Sequence, residues 1–292
     1  MPSLAGSLLR GALLSPFRRP RPDAAFPRAP LTLPGVRIDL ARLAAYERIC
    51  GFPTGDDALP PTYPHVLGFP LAMRLMSARD FPLPLLGLVH TGFDLTRYTA
   101  LPATAAYELT VRVEGLAPHR RGTEAAVLTV LRRGGEVVWE SRSTYLARHR
   151  TDRADGDANG TADGDAYGTA NATDRAAPLP ASPPLAEWRL GGDLGRRYAA
   201  VSGDRNPIHL HPLTARLFGF PRPIAHGMWT VARCLAAHGT PDAVRVRARF
   251  LAPVPLPGTV EYAAGNGRFT LRGDGQTHLT GTVERLASGP RR

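Results

Sequence analysis

Apolar and polar positions divide the chain into two halves with the same plan. Over 107–113, Tyr107, Leu109, Val111 and Val113 alternate with polar neighbours, the period-two pattern of a half-buried strand. Residues 125–131 and 137–145 read likewise, and Gly134-Gly135 between them is a hairpin signal. Ahead of these strands the pattern predicts a helix over 40–49, a Pro-rich apolar stretch over 63–70 and a helix over 71–78. The second half predicts a helix over 194–201 and a longer one over 226–238, which Gly239 stops. Met228, Val231, Ala232 and Leu235 fall at helical spacing and form that helix's core face. Strands over 244–250, 259–264, 268–272 and 277–286 follow, with the Pro-rich 253–258 breaking the first pair. Helices followed by a run of antiparallel strands make an α+β plan, here written twice.

Between the halves, residues 149–184 carry Ala, Asp, Gly, Thr, Asn and Pro with almost nothing to bury, which predicts a flexible tether. An imperfect octapeptide repeats at 154–161 and 162–169. Asp155, Asp157, Asn159 and Gly160 copy the first half of a calcium loop, but Ala166 stands where the bidentate Glu is needed and no helices flank it. Residues 1–30 are rich in Arg, Pro and Ala, a composition that mimics a mitochondrial transit peptide but reads more simply as a disordered tail or an over-extended start. The expected organisation is a tail (1–30), a first unit (31–148), the tether (149–184), a second unit (185–287) and a short tail (288–292).

Composition excludes some classes. The net charge is +11, yet all 36 basic residues are Arg, scattered along the chain, and aromatics are 7%. Nucleic-acid binding calls for basic residues clustered with aromatics, so it is not expected. Arginine still suits phosphate-bearing ligands, because its planar fork binds oxygens in pairs. Cys50 and Cys234 have no metal-ligand spacing and fit a reducing compartment, the cytoplasm. No apolar run reaches the length of a membrane span.

The richest chemistry lies in 198–211. Within six positions the chain sets a carboxylate (Asp204), an amide (Asn206) and an imidazole (His209) around Pro207, just after Gly203. Pro207 fixes its own φ and pushes Asn206 toward extended geometry, so a short polar loop presents an acid/base pair. Ala225-His226-Gly227-Met228 then opens the long helix. Asp204, Asn206, Pro207 and His209, with His226-Gly227-Met228 behind them, resemble the signature of the MaoC-type dehydratases, also called hydratase 2 or (R)-specific enoyl-CoA hydratases. The resemblance covers nearly all of 31–287, but only the second half carries the motif.

The resemblance implies two hotdog units in one chain, each a curled antiparallel sheet around a central helix. It implies a lyase that interconverts trans-2-enoyl and (R)-3-hydroxyacyl thioesters of coenzyme A or acyl carrier protein, without metal or redox cofactor. Asp204 and His209 become the catalytic pair, Asn206 and Ser202 orient it, and the Gly227 N–H donates to the developing enolate oxygen. His226 either braces the loop or caps the helix. His211 alternates with His209 and is expected to be exposed.

Each residue alone has a plainer reading. A lone Asp caps turns, Asn-Pro is turn vocabulary, and a lone His is more often structural; their combination reverses that. Arg245, Arg247 and Arg249 alternate along one strand, as a solvated face or as a contact for carrier phosphates. The first half has no such loop, and His90 lacks a partner carboxylate at that spacing, so this half is expected to widen the acyl tunnel rather than catalyse. A hotdog thioesterase and a non-catalytic acyl-thioester-binding subunit are the competing functions. A single working chain and a homodimer both fit the sequence.

Overall fold

The computed structural model describes residues 20–85, 87–150 and 183–287. The first half runs β1 (Leu31–Arg37), α1 (Leu40–Cys50), α2 (Tyr63–Ser77), β2 (Val89–Arg97), β3 (Ala106–His119), β4 (Gly122–Arg133) and β5 (Glu136–Arg148). The second runs β6 (Ala186–Leu190), α3 (Leu194–Ser202), a 3-10 turn (Pro207–His209), α4 (Pro212–Leu217), α5 (Gly227–His238), β7 (Val244–Phe250), β8 (Gly258–Gly265), β9 (Arg268–Gly273) and β10 (Gln276–Arg285). Most of the expected tether, with its octapeptide repeat, and residues 1–19 and 288–292 of the tails lie outside the described residues.

The strands form one ten-stranded antiparallel sheet in the order β1-β3-β4-β5-β2-β7-β10-β9-β8-β6. Each half contributes five strands, and the second order mirrors the first. The two expected sheets are therefore halves of a single one, joined where β2 pairs β7 with Gly92 opposite Arg249 and Arg97 opposite Val244. Arg97 is buried at this seam. It donates to the carbonyls of Leu59, Pro241 and Asp242, tying loops of both halves together. A buried guanidinium satisfied by carbonyls is a structural group, since leaving it unpaired would be costly.

Sequence and structure differ most over 63–77. The Pro-rich stretch and the helix after it are one helix, α2. Pro64 sits in its first turn, where a missing N–H costs nothing. Pro70 lies inside and removes one helical hydrogen bond, which burial of Phe69, Met73 and Met76 offsets. The strand pattern missed β1, β2 and β6, and understated the length of β3, β4 and β5. In the second half, α5 buries Met228, Val231, Ala232 and Leu235 as the spacing predicts. One core runs through both halves, with Tyr46, Phe93 and Trp139 of the first packed together with Trp229, Val246 and Phe250 of the second. α2 lies on β3 and β4, and α5 on β9.

Candidate active site

The loop after α3 is built by local hydrogen bonds. Gly203 caps the helix with φ 82°, a left-handed conformation glycine adopts without strain, and turns the chain away from the helix axis. The Ser202 hydroxyl donates to the Tyr198 carbonyl (2.8 Å) and accepts from the Asp204 N–H (3.2 Å). The Asn206 N–H donates to Asp204 Oδ1 (3.1 Å), and Asn206 Oδ1 accepts from the Ile208 N–H (3.4 Å). Pro207 then opens the 3-10 turn that ends at His209. A Cβ on Gly195 would lie 2.0 Å from the His209 carbonyl oxygen, so α3 touches the loop directly. Gly195 is a supporting position that the motif does not reveal.

These bonds set the tautomers. His209 Nδ1–H donates to the Ile224 carbonyl (2.7 Å), which leaves Nε2 with the free lone pair. His226 Nε2–H donates to the backbone carbonyl of Asp204 (2.9 Å) and stands 3.9 Å from Asp204 Oδ2. His226 occupies the cap position of α5 but makes no side-chain cap bond; its side-chain hydrogen bond is the one to the Asp204 carbonyl. Its ring stacks on that of His209 with centroids 3.7 Å apart. His211 is exposed and caps α4 through Leu213 N–H.

Burial governs the charges. It pushes the Asp204 carboxyl up, against the opposing pull of His209 and the Asn206 N–H. It pushes His209 down to about 3, helped by His226, and His226 down to about 4. Two neutral imidazoles thus face a carboxylate that is only 28% exposed. Asp204, His209 and His226 bring ligand-type atoms within 4.8 Å of one another. His209 Nδ1 and His226 Nε2 are both spent as donors to backbone carbonyls, which leaves one ring nitrogen of each histidine open.

Gly227 begins α5, where the first N–H groups have no helical partner and the dipole favours negative charge. A Cβ there would meet the Phe250 ring at 2.8 Å, so the position admits no side chain. Asp204, His209, His226 and Gly227 line a cavity of about 450 Å³ whose wall the first half completes with Phe69, Met73, Met76, Leu85, Val89 and Tyr145. That volume suits a small molecule in a largely apolar setting.

The three strand arginines stand elsewhere. Val244, Val246, Ala248 and Phe250 of β7 face inward, so Arg245, Arg247 and Arg249 lie on the other face of the sheet. Arg249 is paired with Asp94 (2.8 Å) and Arg247 with Glu284 (3.5 Å). The arginines that do line the cavity are Arg148 and Arg205, both exposed. Arg205 lies inside the motif and was readable; Arg148 reaches the cavity only through the pairing of the two halves.

Known proteins resemble the chain in sequence and in fold. Residues 184–284 match the model of the MaoC like domain. The chain is 39% identical over 293 residues to 3-hydroxyacyl-thioester dehydratase X of Mycobacterium tuberculosis, covering 98% of this chain and 99% of that protein. The crystal structure of HtdX of Mycobacterium tuberculosis superposes with a TM-score of 0.73 at 37% identity, over 88% of this chain and 100% of that one. A further Mycobacterium tuberculosis protein described as a double hotdog fold matches at TM-score 0.51 and 14% identity, over 90% of this chain and 98% of its own, a likeness of fold alone.

Proposed function

The chain belongs to the MaoC-like dehydratases, and from that premise we propose that it is a hydro-lyase acting on acyl thioesters. It interconverts trans-2-enoyl and (R)-3-hydroxyacyl thioesters of coenzyme A or acyl carrier protein in fatty-acid or polyketide metabolism. The observation that carries this reading is Asp204 and His209 side by side on an apolar cavity, next to the open N-terminus of α5.

In hydration a water oxygen bonds to C3 of the enoyl chain, and electron density moves through C2 onto the thioester oxygen. The Gly227 N–H and the helix dipole stabilise that enolate. Asp204 and His209 Nε2 divide the proton work between them: one takes a proton from the water and the pair returns one to C2, so water adds across the double bond. Dehydration reverses each step. Burial suits both partners to this, because it keeps His209 neutral with a free lone pair and makes the Asp204 carboxyl a weaker acid. Ser202, Asn206 and His226 hold Asp204 through its backbone and carboxylate. No Ser or Cys nucleophile is needed.

We assign the two units to 31–148 and 185–287, joined by the tether 149–184, with catalysis in the second and the first widening the acyl cavity. The two cysteines, both buried and free, suit a cytoplasmic enzyme. Among the described residues no helix is long and apolar enough to cross a membrane.

The test follows loss of enoyl absorbance when the protein meets trans-2-enoyl-CoA chains of increasing length, with chiral analysis of the product. The expected result is the (R)-3-hydroxyacyl thioester with the thioester intact. Release of free thiol would make the protein a thioesterase, and silence on both carriers would make it a binding subunit.

A further inference from the structure

One rim of the cavity is built by a segment the proposed reaction does not use, α4 and the loop after it. Thr214 Oγ1 donates to the Pro207 carbonyl (2.7 Å), which fastens α4 to the loop that carries Asp204 and His209. Ala215, Phe220 and Ile224 form a small core there with Ile208 and Phe218. Ile208, Phe218 and Phe220 also line the cavity. Arg148 and Arg205 line it too and are exposed, so the cavity opens to solvent beside this rim.

The outer side of α4 differs from the rest of the surface. Four large hydrophobic side chains stand exposed among the described residues, and two of them, Leu213 (64%) and Leu217 (82%), lie on this one six-residue helix. Four positions apart, they share a face. The small core is filled from the other side of the helix by Ala215, so folding does not ask for either leucine. Apolar side chains grouped in a polar rim mark a contact surface. The charge around them has one sign. Residues 205–241 hold Arg205, Arg216, Arg222 and Arg233 and no Asp or Glu. Arg216 donates to the Pro221 carbonyl (3.4 Å), which draws it toward Arg222. Among the described residues none of Arg148, Arg205, Arg216 and Arg222 is in an ion pair, whereas Arg97, Arg142, Arg247 and Arg249 are.

We propose that α4 and these arginines form the docking face for an acidic carrier protein, which presents the acyl chain on a phosphopantetheine arm. This inference rests on reading the cavity as the acyl site. With the chain inside, whatever bears its thioester stands outside, at this rim. Arginines alone would suit the phosphates of free coenzyme A equally well. The leucines separate the two. A nucleotide has no use for an apolar helix face turned away from the cavity. A partner helix with an apolar ridge and acidic flanks covers the leucines and meets the guanidinium groups together. A second copy of this chain fits worse, because a two-fold contact through this face sets like charges against each other.

The test puts one acyl group, trans-2-octenoyl, on two handles, an acidic acyl carrier protein and coenzyme A. The readout is kcat/KM on each for the wild type, Arg216→Glu and Leu217→Glu, two exposed positions outside the cavity lining. The carrier-bound chain should lose on the order of tenfold in each variant, while the coenzyme A thioester stays within about twofold. That unchanged rate also shows that the fold and the cavity are kept. Equal losses on both handles overturn the docking face, and so does a carrier-bound chain that keeps its wild-type rate in both variants. In the latter case, anionic vesicles that sediment the wild type but not the variants would make the face a membrane contact, and a dimer that the variants dissociate would give it to a second copy. If the wild type converts neither thioester, the lyase reading fails instead. Calorimetry with the octenoyl-loaded carrier then decides this proposal: binding that both variants weaken supports it, and no binding overturns it.

Discussion

The two units share a scaffold and differ in what they hang on it. α1 ends at Gly51 (φ 80°) and α3 at Gly203 (φ 82°), the same left-handed cap in the same place. After Gly51 comes Phe52, stacked on Tyr46, where Asp204 follows Gly203. The loop then takes a different course to its central helix, opening on Pro64 and His65 rather than on His226 and Gly227. Strand order is mirrored across the seam and one core runs through both units. Folding needs account for the scaffold the units have in common, while among the described residues the proposed acid/base pair of Asp204 and His209 stands in the second unit. On the proposed reading, function resides in a few residues set on a duplicated frame.

The comparison breaks hardest at the dyad. Asp204→Asn and His209→Ala should each lower kcat/KM by roughly 10²–10⁴-fold. Asp57→Asn, an exposed acid in the matching loop of the first unit, should leave it unchanged. Steady-state kinetics on one enoyl thioester reads all three. Next in size is Gly227→Ala, whose Cβ collides with the Phe250 ring. The displacement of α5 against the acyl chain should reduce kcat by about 10²-fold, while a thermal melt shows whether the fold is kept.

A third prediction concerns what the units share. Each buries two neutral histidines, His65 and His90 in the first, His209 and His226 in the second, at about 4, 3, 3 and 4 against an ordinary 6.5. Between pH 6.5 and about 4 the unfolded chain takes up protons that the folded chain refuses, so stability is full above 6.5 and falls as pH falls. The slope is about 1.4 kcal/mol per pH unit for each histidine, partly offset at the acid end by Asp204. Denaturant unfolding across this range measures it. His90→Phe should flatten the slope by one proton, and an unaltered slope would mean His90 is not held neutral. The smallest effect belongs to the seam: Arg249→Ala, which removes a partly exposed pair with Asp94, should cost at most about 1 kcal/mol and leave turnover intact. A large loss of activity there would return the strand arginines to the active site.

Much of this was legible in the chain, for physical reasons. The proposed catalytic loop writes its chemistry in six consecutive residues, and α5 and the strands of the second unit carry clean periodicities. The helix α2 was hidden because prolines that usually break helices sit at one harmless position and one that packing repays. β1 carries Pro34-Gly35 and mostly exposed positions, and β2 carries Gly92 and a polar outer face, so neither alternates cleanly. The fusion into one sheet depends on β2 meeting β7 from far along the chain, which no local pattern encodes. The same distance hid Arg148 and the cavity wall of His65 and His90, and made Arg245, Arg247 and Arg249 look available for a ligand although they lie on the sheet face away from the cavity.

The measurement that bears most directly on the account is kcat/KM of Asp204→Asn with a trans-2-enoyl-CoA, alongside that variant's affinity for the thioester. The account expects turnover to fall by at least about 10²-fold with affinity within a few-fold of the wild type. Turnover held within about tenfold would contradict it, because the single carboxylate that distinguishes the second unit from the first would then not carry the reaction.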